Sequence, residues 1–159
     1  MNRETKAASR GPTAQYVTFR LAEETFAINV MKVQEVLRIS EIALVPGAPP
    51  YVLGIINLRG NVVTVIDARR RMDMEPQEPD EASRIVVIEG EHQVVGVLVD
   101  SVAEVIELAE ADIEPAPDVG GDEASRYIQG VASHDGKLTI VVDLNRLLSD
   151  EEWAEVATA

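Results

Sequence analysis

The chain has 159 residues, a net charge of −14 and a sequence pI near 4.4. This excess of acid disfavours nucleic acids and anionic membranes as partners, because both need clustered Lys and Arg. The sequence has no cysteine, which excludes disulfides, thiolate metal ligands and a thiol nucleophile. No apolar run approaches the roughly 20 residues of a membrane span, so we expect a cytoplasmic protein.

Short strands are predicted over the first third of the chain. Residues 1–15 are polar and predict a disordered N-terminal tail. Residues 16–21 alternate apolar and polar side chains, as in a half-buried strand, and residues 26–28 begin a second strand. Residues 30–38 fit either a short helix or a bent strand. Three prolines between residues 46 and 50 predict an extended loop.

Residues 54–71 predict a hairpin followed by the start of a helix. Two β-branched runs flank Arg59-Gly60-Asn61, which is a strong signal for a tight turn. The same pattern recurs 76 residues later, in residues 130–148. This offset places Gly54 on Gly130 and Asp67 on Asp143, and it indicates that one small β unit is present twice.

The repeat extends upstream of the hairpins at an offset of 69 residues. We predict one unit over residues 16–72 and a second over residues 85–148, joined by an acidic segment with two prolines at residues 73–83. Five short strands in each unit would most easily close into a small barrel, because closure removes exposed edges.

Two further segments complete the chain. Residues 110–126 are acidic and contain Gly and Pro, which predicts a loop, and the sequence assigns no role to its 118–123 part. Residues 149–159 predict a C-terminal helix, because Ser149 can cap it and acidic residues follow in the first turn.

Asp67, Asp100 and Asp143 each end an apolar strand and are the most enzyme-like feature of the sequence. Carboxylates brought together could act as acid and base or bind a metal, so a small Asp-dependent hydrolase is one alternative. The competing interpretation is that they cap the structure that follows, and the repeat favours it. His92 and His134 fall in hairpin turns without a partner at motif spacing. We therefore predict no catalytic residue, no cofactor and no metal site.

A binding module is the better interpretation. Small barrels often bind single-stranded nucleic acid, but the acidity and the lack of a basic, aromatic face argue against that class. Arg59 at the hairpin tip and Glu35 beside Val33 and Val36 are candidate surface residues. An exposed arginine in apolar surroundings is a good interface anchor.

Five motifs of this sequence resemble those of the CheW family, and they occur in the same order as in that family. They lie at residues 26–36, 54–60, 65–67, 95–100 and 113–117, and the resemblance covers about residues 15–150. It implies a mostly β fold of two intertwined five-stranded SH3-like β-barrels with short helices, forming one domain over residues 16–150. It also implies a non-enzymatic adaptor.

The resemblance further implies that the protein couples chemoreceptors to the histidine kinase CheA in bacterial signalling arrays. It implies end-to-end binding of the kinase's regulatory domain through a barrel, and an apolar groove for the receptor's signalling tip. It implies a chain that is monomeric alone, recruited to membrane-bound arrays without inserting into the membrane.

The match to the family's motifs implies that Arg59 and Glu35 make polar contacts, or pair with each other, at the recognition surface. It implies that four further residues support or line this surface: Val33, Val36, Gly54 and Asn57. An alternative is that the same scaffold serves a receptor and kinase system outside chemotaxis.

Overall fold

The computed structural model describes residues 11–89, 93–116 and 126–158. Strands make up most of it and its helices are short. The first five strands are β1 (Thr13–Leu21), β2 (Glu24–Asn29), β3 (Val33–Arg38), β4 (Val52–Leu58) and β5 (Asn61–Asp67). The second five are β6 (Arg84–Glu89), β7 (Val94–Val99), β8 (Ser101–Ala109), β9 (Ile128–His134) and β10 (Lys137–Val142). The helices are α1 (Ala68–Arg71) and α2 (Asp150–Thr158), with 3-10 turns at Val30–Lys32, Glu110–Asp112 and Leu144–Arg146.

The strands form two five-stranded sheets of matching topology. One has the order β3-β6-β7-β5-β4 and carries Arg59, and we call it the Arg59 barrel. The other has the order β8-β1-β2-β10-β9 and carries Asp135, and we call it the Asp135 barrel. The order is the same in both once each strand is replaced by its repeat counterpart. This confirms the mostly β fold with two five-stranded sheets.

Each sheet takes strands from both repeats. β3 pairs with β6 of the second repeat, and β8 pairs with β1 of the first. The predicted units 16–72 and 85–148 are therefore repeats in the sequence but do not form separate barrels. The exchange is symmetric, since Val36 pairs with Val86 while Val105, its counterpart, pairs with Val17.

Backbone bridges close each sheet into a barrel. Ala43, in the loop after β3, exchanges two hydrogen bonds of 2.8 and 2.9 Å with Ile55 on β4. Glu114, after β8, makes two bonds of 2.8 Å with Val131 on β9. The segment after one outer strand of each sheet thus pairs with the other outer strand, so that part of that edge is covered.

Apolar side chains pack in three clusters, one inside each barrel and a larger one between them. The central cluster contains Phe19 and Phe26, whose rings stack with centroids 5.5 Å apart, and it also buries Trp153 of α2. The interior of the Arg59 barrel is made of branched side chains such as Val65, which is fully buried. The barrels therefore share one core and are held together by it.

Two boundaries differ from the predictions. β1 begins at Thr13 rather than at residue 16, because the nine-residue β8 extends far enough to pair with Thr13, Ala14 and Gln15. The predicted tail of residues 1–15 is therefore too long, and its first ten residues lie outside the described residues. The ambiguous stretch 30–38 is a 3-10 turn followed by β3.

The predicted C-terminal helix is confirmed as α2. Ser149 Oγ accepts a hydrogen bond from the Glu152 amide at 3.2 Å, and the Glu152 carboxylate accepts one from the Ser149 amide at 2.9 Å. This reciprocal capping satisfies two backbone groups that a helix start leaves unpaired. The 118–123 loop and His92 lie outside the described residues.

Candidate partner-binding surface

A tight turn holds Arg59 at the tip of the β4–β5 hairpin. Arg59 and Gly60 both have positive φ, +51° and +87°, as the two central residues of this turn type require. The Gly60 amide donates a hydrogen bond to Asn57 Oδ1 at 2.9 Å, which fixes the turn from inside the hairpin. Asn57 therefore holds Arg59 in position by fixing the turn. Asn57 is also exposed to solvent itself.

Arg59 forms a two-pronged ion pair with Glu35 on β3. One guanidinium nitrogen donates to Glu35 Oε1 at 3.2 Å, and the second contacts Oε2. The hydrogen bond from Arg59 is the main cause that lowers the pKa of the Glu35 carboxyl. The pair brings the hairpin tip against the outer strand β3, and 68% of the Arg59 side chain stays exposed.

Apolar side chains accompany this ion pair. Val36 follows Glu35 on β3 and is 37% exposed, and Val62 is 71% exposed on β5, where it pairs with Asn57. Val33 is half-buried and packs against the central core. We call the following residues the Arg59 surface: Glu35, Val36, Asn57, Arg59 and Val62.

Gly54 is buried and supports this surface from within. A β-carbon at Gly54 would lie 2.3 Å from the Ala43 carbonyl oxygen and 2.7 Å from a methyl group of Ile42. Its counterpart Gly130 meets the Glu114 carbonyl oxygen at 2.4 Å in the same way. The glycine therefore allows the close approach that closes the barrel.

The Asp135 barrel carries a counterpart surface with a different charge. Asp135 stands where Arg59 stands in the other barrel, also with a φ of +51°, and Glu104 stands where Glu35 does. Val105 and Leu138 are 54% and 66% exposed, as the counterparts of Val36 and Val62. The two barrel ends therefore share an apolar pattern, but one has an ion pair where the other has two acids.

The three candidate carboxylates have structural roles. Asp67 accepts a hydrogen bond from the Arg69 amide at 3.1 Å, and Asp143 accepts one from the Asn145 amide at 3.0 Å, so both are the caps predicted for them. Burial raises the pKa of Asp67, although hydrogen bonds from the Arg69 and Arg70 backbone and the charges of these two arginines oppose the rise. Asp100 is instead held by the Arg69 guanidinium.

The remaining polar candidates form no chemical site in the part of the chain that the structure describes. His134 Nε2 lies 3.5 Å from its neighbour Asp135 at a hairpin tip. Across residues 11–89, 93–116 and 126–158, no group of three or more His, Asp or Glu residues is arranged to hold a metal ion. No helix among these residues is long and apolar enough to cross a membrane.

Sequence reasoning missed the exposed residues Val62, Val105 and Leu138. The repeat held a signal for them, since Val62 aligns with Leu138 and the predicted site residue Val36 aligns with Val105. Apolar residues conserved between the two internal repeats do not all face a core, and here four of them face solvent.

Two closed barrels with an exposed ion pair among apolar side chains define a binding domain of the scaffold class. The CheW-like domain model matches residues 15–152. The chain is 34% identical to the chemotaxis protein CheW of Rhizobium meliloti, over 87% of this chain and 89% of the relative. It is 32% identical to CheW of Bacillus subtilis, over 85% and 86%.

A crystal structure of the scaffolding protein TtCheW from Thermoanaerobacter tengcongensis is also similar. It has a TM-score of 0.81 and 34% identity, covering 89% of this chain and 96% of that one. The chain belongs to the CheW-like domain family. It is therefore a chemotaxis scaffold and adaptor rather than an enzyme.

Proposed function

We propose that this chain couples chemoreceptors to the histidine kinase CheA, and that it does so by binding the kinase's regulatory domain and the receptor's cytoplasmic tip. The observation that carries the proposal is the Glu35–Arg59 ion pair on the rim of a closed barrel. An ion pair this exposed adds little to folding, so the fold itself does not require it.

The Arg59 surface has the composition of a protein interface. Arginine is enriched at interfaces because its planar guanidinium binds carboxylates and also packs on apolar groups. Val36 and Val62 supply apolar area beside it, and Asn57 supplies a polar rim. We assign the kinase regulatory domain to this surface, with Arg59 and Glu35 as its polar contacts.

We assign the receptor's cytoplasmic tip to a second apolar feature, which lies on strands β3 and β8. Val33 on β3 and its counterpart Val102 on β8 are half-buried and pack on the central core between the barrels, and Val105 on β8 is exposed. The helical tip of a receptor would bury an apolar face against these valines, as amphipathic helices do in apolar grooves.

Recruitment to the membrane would follow from these protein contacts. The net charge of −14 disfavours direct attraction to anionic lipids. We therefore propose a cytoplasmic chain, monomeric alone, that reaches membrane-bound arrays through receptor and kinase together.

Calorimetric titration tests the coupling directly. The purified chain is titrated with a CheA regulatory domain and, separately, with a soluble receptor tip, and then with the second partner after saturation by the first. Saturable one-to-one binding of each, and of both together, is expected. If neither binds at hundreds of micromolar, the coupling proposal fails, and a pull-down from cell extract would then identify the partners that the scaffold serves instead.

A further inference from the structure

Two arginines face each other across strands β3 and β6 of the Arg59 barrel. Arg38, the last residue of β3, pairs with Arg84, the first residue of β6. Directly opposite side chains lie on one face of a sheet with their β-carbons about 5 Å apart, so two like charges at this position repel and weaken the pairing. Arg38 is exposed and Arg84 is half-buried. The fold therefore gains no stability from bringing these two charges together.

No carboxylate of the described residues offsets this positive charge. Neither Arg38 nor Arg84 forms an ion pair within residues 11–89, 93–116 and 126–158. Glu35, the acid on the same strand as Arg38, is already bound by Arg59. Glu81 contacts Arg84 only through its backbone carbonyl oxygen. Both guanidinium groups can therefore bind a carboxylate from outside the chain.

The turn before β6 holds the Arg84 side chain in place. Arg84 Nη1 donates to the carbonyl oxygens of Glu81 and Ser83, both at 2.8 Å. The Asp80 amide donates to Ser83 Oγ at 2.8 Å and fixes the turn that presents these carbonyls. The other two nitrogens of Arg84 make no hydrogen bond in the part of the chain that the structure describes. They leave a pre-organised edge that can bind a carboxylate through two parallel hydrogen bonds.

The two arginines adjoin the Arg59 surface. The pairing of β3 with β6 has no bulge between Val36 and Arg38. Residues two apart on a strand share a face and lie about 7 Å from each other, so Arg38 extends the surface beyond the exposed Val36. A protein that binds the arginines from this side also covers apolar area, which a free anion does not. The net charge of −14 disfavours an anionic lipid surface as the alternative.

The Asp135 barrel has no such pair of arginines. At the repeat offset of 69 residues, Glu107 stands where Arg38 does and Gln15 stands where Arg84 does. Glu107 and Gln15 pair with each other on β8 and β1. Because the two barrels share one strand order, the fold does not require positive charge at this position. The charge is therefore particular to the barrel that carries Arg59.

We propose that Arg38 and Arg84 bind carboxylates of the kinase regulatory domain when that domain covers the Arg59 surface, and that they select an acidic patch on it. Pairs of arginine and carboxylate with two parallel hydrogen bonds are strong and geometrically specific. An acid bound there also offsets the repulsion between the two arginines, which the free chain bears. This inference rests on the proposed assignment of the kinase domain to the Arg59 surface.

Calorimetric titration with the CheA regulatory domain at two ionic strengths, about 0.05 and 0.5 M, tests the role of Arg38. Arg38→Gln should raise the dissociation constant about three- to tenfold at the lower ionic strength and no more than about twofold at the higher one. Its melting temperature should stay the same or rise by about 1–2 °C, because the like-charge pair is removed. Weaker binding without a loss of stability separates a binding role from a structural one.

Lys137→Gln is the matched control, because it removes one positive charge from an exposed position on β10 of the Asp135 barrel. It should stay within about twofold of the parent affinity at both ionic strengths. Unchanged affinity of Arg38→Gln, an equal loss at both ionic strengths, or an equal loss in Lys137→Gln would overturn the inference and leave the coupling proposal standing. A parent chain that does not bind the kinase domain would refute both.

Discussion

Arg69 and Asp100 are joined by two parallel hydrogen bonds although 31 residues separate them in the chain. Asp100 also accepts the Ala22 amide at 2.7 Å, so one carboxylate ties α1 of the Arg59 barrel to the β1–β2 turn of the Asp135 barrel. Burial raises the pKa of Asp100, but the bonds from Arg69 and Ala22 outweigh it, and the net pKa lies below its usual value.

Asp100→Asn should therefore destabilise the fold in a pH-dependent way. Because the folded pKa is lowered, the stabilisation is fully present above the unfolded value near 3.9 and is lost as pH falls through the folded value. At pH 7 we expect a loss of about 2 kcal/mol in the free energy of unfolding. Urea unfolding from pH 7 to pH 3 should show the gap closing below about pH 4.

The control for this series is Asp135→Asn, on a side chain that is 85% exposed. It should track the parent chain at every pH. If the Asp100→Asn gap stays constant down to pH 3, its cause is lost packing and not the charge of Asp100.

Gly54→Ala tests whether close backbone approach holds the Arg59 barrel shut. The added methyl group would meet the Ala43 carbonyl oxygen, so we expect a loss of about 3 kcal/mol in unfolding free energy. Gly60→Ala is the comparison, because Gly60 also has positive φ but open space around it, and about 1 kcal/mol is expected there. Equal losses in thermal or urea unfolding would show that the Gly54 contact does not matter.

Val65→Asp should unfold the chain. Val65 is fully buried inside the Arg59 barrel, and an unpaired carboxylate there costs more than about 4 kcal/mol, a large part of a typical domain's stability. Val62→Asp lies three residues away on the same strand, where the side chain is 71% exposed, and it should stay within about 0.5 kcal/mol of the parent. Circular dichroism separates the two, and a folded Val65→Asp chain would contradict the barrel interior described above.

The residue types at the turns were enough to predict the hairpin that carries Arg59 and the capping roles of Asp67 and Asp143. Arg59-Gly60 between β-branched runs indicated the hairpin, and the repeat indicated that Asp67 and Asp143 were caps. Residue types alone did not indicate that Arg59 reaches Glu35, because that contact depends on the closure of the barrel by Ala43 and Ile55.

The exchange of strands between the repeats was also beyond pattern reasoning. β3 and β8 have the same periodicity, so either could pair within its own repeat or with the other, and local propensity does not distinguish the two. In the exchanged arrangement the central cluster buries residues of both repeats together, such as Phe19 and Val86.

Arg59→Ala, titrated by calorimetry against the CheA regulatory domain, tests the central claim most directly. Arg59 is exposed and its ion pair adds little to folding, so the melting temperature should fall by no more than about 2 °C. The dissociation constant should rise roughly tenfold or more, as for an arginine anchor at an interface. Asp135→Ala, with the same backbone conformation in the other barrel, is the matched control for strain at the turn. Equal affinities for Arg59→Ala and the parent chain would contradict the assignment of this surface to the kinase.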